Sequence, residues 1–525
     1  MLVRFNGNSS LPSGNNSSNA YVMSVSWAGS DVHGFLLTGQ TNAIATYQLP
    51  QHYRFLLGND YGYSKPAFGS TEGQAALVGS EISCWNSTTP GRDSGLWMLV
   101  RDGSLVLGTV GAPVKFTAST GSETKGNTGL DLPATPLVDF GRSVPLTKRG
   151  TGTLVLSNVV YTLVDGTGDA TSKFVWYLGN TDTNLDAGVL RETGTGPSNS
   201  IRNMAYFMNG GILGLAADYT GKSGTNAPAG EINVGGFWVY NYSNTGAGFG
   251  AYGGKRTVTL SPWSGSKLTW GSSAVASDYF LYNGAPLIFN APDADGEIVL
   301  ATTSTNSISL NSAARTITVY DNPATNSDWA TLSIPIIDAS ASAALVKSGN
   351  GILNLSATNN NWAGVTSVSN GTLNVNGTLL AGASNLTVYS GATLGGTGTV
   401  SRRVQVLSGG TLSAGTPAGT GTLNISSNLV LSTGATLSIK VDATGYDRVN
   451  VGGAGSIDLT GVKVDVIPAS GSDVTGNYTI LTSGSPLLNY TSLGTVTRGY
   501  NVRLTAGGTA LELRKDSSGL VIRVQ

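Results

Sequence analysis

From Lys347 to Leu437, apolar residues two positions apart alternate with turns of glycine, serine, threonine and asparagine; Leu353/Leu355, Leu373/Val375 and Leu437/Ile439 are such pairs. A period of two predicts short strands with one buried face. The intervening Gly and Asn residues suit turns that need positive φ. Helices are not expected, because Gly or Asn interrupts every window long enough to hold one. A short phrase recurs as Gly371-Thr372-Leu373, Gly391-Ala392-Thr393-Leu394, Gly410-Thr411-Leu412 and Gly434-Ala435-Thr436-Leu437, with its leucines 21, 18 and 25 residues apart. A repeat of roughly 20 residues predicts stacked coils whose strands pair with those above and below, about 4.8 Å away. The expected fold is all-β, a right-handed parallel β-helix (β-solenoid); a β-sandwich is the competing arrangement for this stretch.

The pattern divides the chain into three parts. Residues 1–145 are a less regular β region or cap, with strands expected at Tyr21–Ser26, Phe35–Thr38, Tyr53–Leu57, Leu96–Arg101 and Ser104–Leu107. Residues 146–445 carry the solenoid repeats. The phrase Lys148-Arg149-Gly150-Thr151-Gly152-Thr153-Leu154-Val155-Leu156-Ser157 returns 199 residues later as Lys347-Ser348-Gly349-Asn350-Gly351-Ile352-Leu353-Asn354-Leu355-Ser356. Residues 446–525 are the solenoid's end and C-terminal cap, with strands expected at Val462–Ile467, Tyr478–Leu481, Val502–Leu504, Leu511–Leu513 and Leu520–Val524. A stack must hide its last apolar layer.

Composition narrows the class. Among 525 residues there are 73 glycines and 11% charged residues, and the net charge is −1. Ordered β structure fits this better than disorder, which goes with high charge. A near-zero net charge provides no electrostatic footprint for nucleic acid. No apolar run is long enough for a transmembrane helix. The lone cysteine, Cys84, excludes a disulfide within the chain. It reads as a small buried hydrophobe, with an intermolecular disulfide as the alternative. The start, MLVRFNGNSS, lacks the basic and apolar regions of a signal peptide; the Ser/Thr/Asn/Gly-rich composition nevertheless predicts a secreted chain in trimmed form.

Candidate chemistry is sparse. Between Ser348 and Ile439 there is no Asp or Glu, and the only charges are Arg402 and Arg403. The paired carboxylates of a polysaccharide lyase or hydrolase have no place there. Asp60, Asp93, Asp102 and Asp139 are scattered and read as turn residues. His33 and His52 are the only histidines, and neither a nucleophile phrase nor a zinc ligand set accompanies them. Asp293-Ala294-Asp295-Gly296-Glu297 is a weak calcium candidate, with Asp293, Asp295 and Glu297 as ligands and a solvated turn as the alternative. Gly248-Phe249-Gly250-Ala251-Tyr252-Gly253 matches a dinucleotide fingerprint formally, but Thr257–Leu260 after it reads as strand. No enzyme activity and no cofactor is expected. Trp27, Trp85 and Trp97 read as core or cap packing. Trp85, Trp97 or Trp238 lining a groove would instead indicate a carbohydrate-binding or polysaccharide-degrading β-helix.

The phrases Lys347–Ser356, Asn360-Asn361-Trp362-Ala363-Gly364, Asn370-Gly371-Thr372-Leu373, Gly395–Val400 and Gly445-Tyr446-Asp447-Arg448-Val449 resemble the bacterial autotransporter-associated β-strand repeat, also called the passenger-associated transport repeat. The resemblance spans roughly residues 145–525. It implies export and an extracellular or cell-surface home, with Gly150, Leu154, Leu156, Gly349, Leu353, Leu355, Leu373, Leu394, Leu412 and Leu437 as repeat positions. Such proteins end in an outer-membrane barrel of long alternating strands, which is not expected within these residues; either the barrel was left out or the protein is released or anchored otherwise. The reading is a structural rod. It would serve as a filament or matrix subunit joined to copies of itself, or as an adhesin presenting loops to a surface or glycan. Leu2 and Phe5, and Leu520, Ile522 and Val524, are candidate assembly strands by β-augmentation.

Overall fold

Strands of two to seven residues stack in parallel, each hydrogen-bonded to its counterpart one coil away. The computed structural model describes residues 284–515 apart from 303–305, 383, 418, 443–444, 470–475 and 506; before residue 284 it describes mainly the strands from Leu2 to Leu281. The chain folds as two units, Met1–Gly265 with Ser273–Ala285, and Ser266–Ser272 with Pro286–Gln525. The fold is an all-β parallel β-helix.

In the first unit three sets of strands alternate along the chain. One set runs Leu2–Phe5, Val32–Leu37, Lys65–Ser70, Leu96–Val100, Ser143–Arg149 and Lys173–Leu178. The second runs Ile44–Gln48, Gln74–Val78, Ser104–Leu107, Thr153–Leu156 and Val189–Glu192. The third runs Tyr21–Trp27, Tyr53–Asn59, Glu81–Asn86, Val114–Ser119 and Val159–Val164. Every pairing is parallel, so the coil is in place well upstream of the repeat phrase at Lys148.

The second unit has three faces. Face A stacks Ile298–Ala301, Ala330–Leu332, Ile352–Leu355, Gly371–Val375, Ala392–Gly396, Thr411–Ala414, Thr436–Val441 and Lys463–Pro468. Face B stacks Leu287–Phe289, Arg315–Val319, Leu345–Ser348, Thr366–Val368, Leu386–Val388, Val404–Val406 and Leu429–Leu431. Face C stacks Thr378–Leu379, Thr399–Val400, Thr422–Ile425, Arg448–Val451 and Asn477–Ser483. On face C parallel stacking then stops: Ala510–Lys515 adds antiparallel to Asn477–Ser483, and Tyr500–Leu504 adds antiparallel to Ala510–Lys515.

Register explains the spacing of the sequence phrase. Leu353, Leu373, Leu394, Leu412 and Leu437 are in-register partners on face A, continued by Val464. All five leucines are 0% exposed. A one-residue slip would turn the whole column outward, so burial locks the register. The turns are as constrained as the strands. Gly349 and Gly371 adopt φ of +73° and +61°. A Cβ on Gly349 would lie 2.3 Å from the carbonyl oxygen of Val319, and one on Gly371 2.5 Å from that of Gly349. Gly349→Val is therefore expected to cost about 2–4 kcal/mol, from positive-φ strain together with a clash against a backbone that cannot move aside. Urea unfolding of the variant, followed by far-UV circular dichroism, measures that cost.

Candidate functional surface

The repeat phrases place polar groups at two kinds of position: inside the coils, where they hold backbone, and outside, where they form ladders. Lys347 occupies an inward position on face B, paired with Ile317 on one side and Val368 on the other, and is 0% exposed. Its Nζ donates to the carbonyl oxygens of Ser348 (2.9 Å), Gly349 (2.8 Å) and Asn370 (3.0 Å). The ammonium thus joins the turn of its own coil to that of the next. Burial pushes its pKa down to about 7. Lys148, the matching residue of the earlier phrase, is also buried and donates to the Arg149 carbonyl at 3.0 Å.

Two arginines use the same device. Arg315 Nε donates to Leu310 O (2.9 Å), and Nη2 donates to Trp270 O and Gly271 O (both 3.0 Å). Arg402 Nε donates to Leu380 O (3.1 Å), Nη1 to Gly364 O (2.9 Å) and Nη2 to Trp362 O. Its guanidinium lies 4.9 Å from the centre of the Trp362 ring, a cation–π contact in a desolvated site. Desolvation brings its pKa down to about 10. Trp362, in the Asn-x-Trp-x-Gly phrase, is fully buried and donates from Nε1 to Thr366 Oγ1 at 3.2 Å. Asn360 of that phrase is also sealed: its Oδ1 accepts from the Ile336 N–H (3.1 Å), and Nδ2 donates to Ala357 O (2.8 Å). Nothing in the residue spacing singled out Lys347 or Arg402 as interior. The available signal was a cation in an apolar stretch without acids.

Asp447 is a fully buried carboxylate. Its Oδ1 accepts from the Gly421 N–H and its Oδ2 from the Lys440 N–H, both at 3.0 Å. Lys440 Nζ stands 3.8 Å away. Desolvation nonetheless dominates and raises the carboxyl pKa from 3.8 to about 6. Because the folded pKa lies above the unfolded one, the folded chain binds the extra proton between these values. Stability from this group is greatest below about pH 4 and declines as pH rises to 6. The urea midpoint of the parent is expected to show this slope between pH 4 and 7, and Asp447→Asn is expected to lack that component.

Polar side chains between the inward positions are zipped together on all three faces: on face B the Thr318 and Ser348 hydroxyls are 3.2 Å apart, and the face A amides Asn354 and Asn374 are themselves buried. On face A, Asn374 Nδ2 donates to Asn354 Oδ1 (2.9 Å), and Asn354 Nδ2 donates to Thr331 Oγ1 (3.3 Å). On face C, Asn450 Nδ2 donates to Asn424 Oδ1 (3.1 Å), and Thr482 Oγ1 donates to Asn450 Oδ1 (2.9 Å).

The remaining candidates fall as follows. Leu154 and Leu156 are buried in Thr153–Leu156, and Leu355 in Ile352–Leu355. Gly150 lies outside the described residues, as do Leu520, Ile522 and Val524. Leu2 and Phe5 lie in a strand paired in parallel with Val32–Leu37. Asp293 and Asp295 are exposed; Glu297 Oε1 accepts from Thr331 Oγ1 at 2.6 Å. Among the described residues no group of three His, Cys, Asp or Glu is placed to hold a metal ion. His52 is outside the described residues; the side chains of His33, Cys84, Trp27, Trp85, Trp97 and Trp238 are likewise outside the description. No described helix is long and apolar enough to cross a membrane.

The passenger-associated-transport-repeat family model matches residues 146–172 and 345–375. These matched segments contain Lys148 and Lys347 with the strands that follow each. A search of curated proteins returns no match to this chain.

Proposed function

We propose that this chain is the exported, surface-exposed portion of a bacterial passenger protein, and that it acts as a non-enzymatic structural element or adhesin. The observation that carries the reading is the division of labour in the repeats. Leucines fill the interior in register, the buried cations are spent on backbone carbonyls, and the outward positions between Ser348 and Ile439 carry no charge other than Arg403. Such a stack supplies a regular surface and no paired carboxylates for acid–base chemistry. The finer form of the proposal is self-association into a surface filament or matrix, with terminal strands adding to a neighbour's sheet edge.

Protease shaving of intact cells expressing the full natural protein tests the location: loss of this segment from whole cells supports export, whereas protection until lysis contradicts it. Electron microscopy of the purified chain at rising concentration tests assembly. Filaments support the matrix form; particles that stay single favour the adhesin.

A further inference from the structure

We propose that Tyr500–Leu504, the outer strand of the antiparallel hairpin that ends face C, is a self-pairing edge at which two copies of this chain join across a two-fold axis. Faces A and C end differently. Face A ends beneath irregular chain: the Val464 N–H donates to the Thr495 carbonyl, the Thr497 N–H donates to the Val464 carbonyl, and the Thr497 hydroxyl accepts from the Val466 N–H. Face C ends instead in a regular strand, and among the described residues no strand pairs with its far side. Exposed edges of this kind are templates for another chain unless Pro, Lys or a bulge blunts them. Tyr500–Leu504 contains neither Pro nor Lys, and its pairing with Ala510–Lys515 runs without a register shift.

The backbone shows which groups are on offer. The Thr505 N–H donates to the Ala510 carbonyl, so in this ladder the bonded residues are Thr505, Arg503 and Asn501, and the N–H and C=O of Val502 and Leu504 point to the open side. Side chains select the occupant. Val502 and Leu504 are half-buried and continue the rows of Leu513 and Leu511, which are 0% exposed. Arg503, the only charge on the strand, is held on its own sheet: its Nε and Nη2 lie 2.8 and 2.7 Å from Glu512 Oε2. An antiparallel copy with the axis on Val502 makes these features match. Each Val502 exchanges both backbone hydrogen bonds with the partner's Val502, and each Leu504 N–H meets the partner's Tyr500 carbonyl. Tyr500 then faces the partner's Leu504, and Asn501 faces the partner's Arg503, so no like charges stand opposite each other. An axis on Arg503 would oppose two guanidiniums. The strand is thus complementary to itself, which is what an isologous contact requires. The inference deepens the self-association form of the reading above and rests on it for the choice of a second copy, but a two-fold contact closes at a pair where a filament stays open.

The test is sedimentation velocity of the purified full chain at rising concentration, with cysteine cross-linking beside it. A concentration-dependent shift from one copy to two is expected. Val502→Lys, which sets two ammonium groups across the axis, should raise the dimer dissociation constant at least about tenfold and leave the urea midpoint of the chain unchanged. In a Cys84→Ser background, Val502→Cys should form a covalent dimer on mild oxidation, since each copy meets itself there within disulfide reach. Asn501→Cys, which faces position 503 of the other copy, should not. A chain that stays single at every concentration overturns the proposal, as does a dimer that Val502→Lys leaves intact and Val502→Cys fails to trap. A single chain whose Val502 and Leu504 amides resist hydrogen exchange also overturns it, and gives the edge to residues 516–525 of the same chain. Electron microscopy separates this contact from the filament: particles that stop at two copies uphold the edge pairing and speak against an open filament, whereas filaments unaffected by Val502→Lys overturn the pairing and leave the filament standing.

Discussion

Arg402→Met should be among the most destabilising single changes in the second unit, lowering the unfolding free energy by about 3–5 kcal/mol. Methionine fills much of the volume but donates nothing. The carbonyls of Leu380, Gly364 and Trp362 then lose the guanidinium that serves them. They come from separate parts of the coil path, so the variant loses a tie between coils as well as three hydrogen bonds. Trp362 also loses its cation–π partner. Arg403→Met is the matched control. Arg403 is exposed, and a surface change of this kind stays within about 0.5 kcal/mol. Urea denaturation of the two variants side by side measures the difference, and similar midpoints would show that Arg402 does not bear on the interior.

Leu394→Ala is expected to cost about 3–5 kcal/mol, the range for a leucine removed from a close-packed interior that collapses only in part. Leu394 is 0% exposed and stacks between Leu373 and Leu412. Neighbours in the column are fixed by ladder hydrogen bonds on both sides, so the cavity has little freedom to close. Thr393→Ala, one residue away and outward, is expected to cost less than about 0.5 kcal/mol. Because stacked repeats hold each other by nearest-neighbour contacts, hydrogen exchange in Leu394→Ala should rise first in the coils around Leu373 and Leu412. A uniform rise across the unit would argue against local stacking.

The strands and the leucine column were legible because burial imposes a period of two and coil length imposes the larger period. The expected strand at Ser104–Leu107 matches the observed one, and Tyr21–Ser26 differs from the observed strand by a single residue. The coils before Lys148 were harder to read as coils. Their strands begin at Val32, Lys65, Leu96 and Ser143, intervals too uneven to look like a repeat, because loop length varies while pairing does not. The interior cations were illegible for another reason. Lys347 stands where its register partners are isoleucine and valine, and only the three-dimensional turn shows the carbonyls that it serves. The ladder partners Asn424 and Asn450 are 26 residues apart, a separation that becomes meaningful once coil length is known.

In-register stacking is most directly tested by disulfide formation between outward threonines of face A. In a Cys84→Ser background, Thr393→Cys with Thr411→Cys joins register partners of adjacent coils, whose Cα atoms sit about 4.8 Å apart. That lies within the range a disulfide spans. Thr393→Cys with Thr436→Cys skips one coil, placing the Cα atoms nearly 10 Å apart, beyond reach. Rapid oxidation of the first pair and none of the second is the predicted result. The reverse, or efficient cross-linking of Thr393→Cys to Ser413→Cys in place of Thr411→Cys, would show that the coils do not stack in this register.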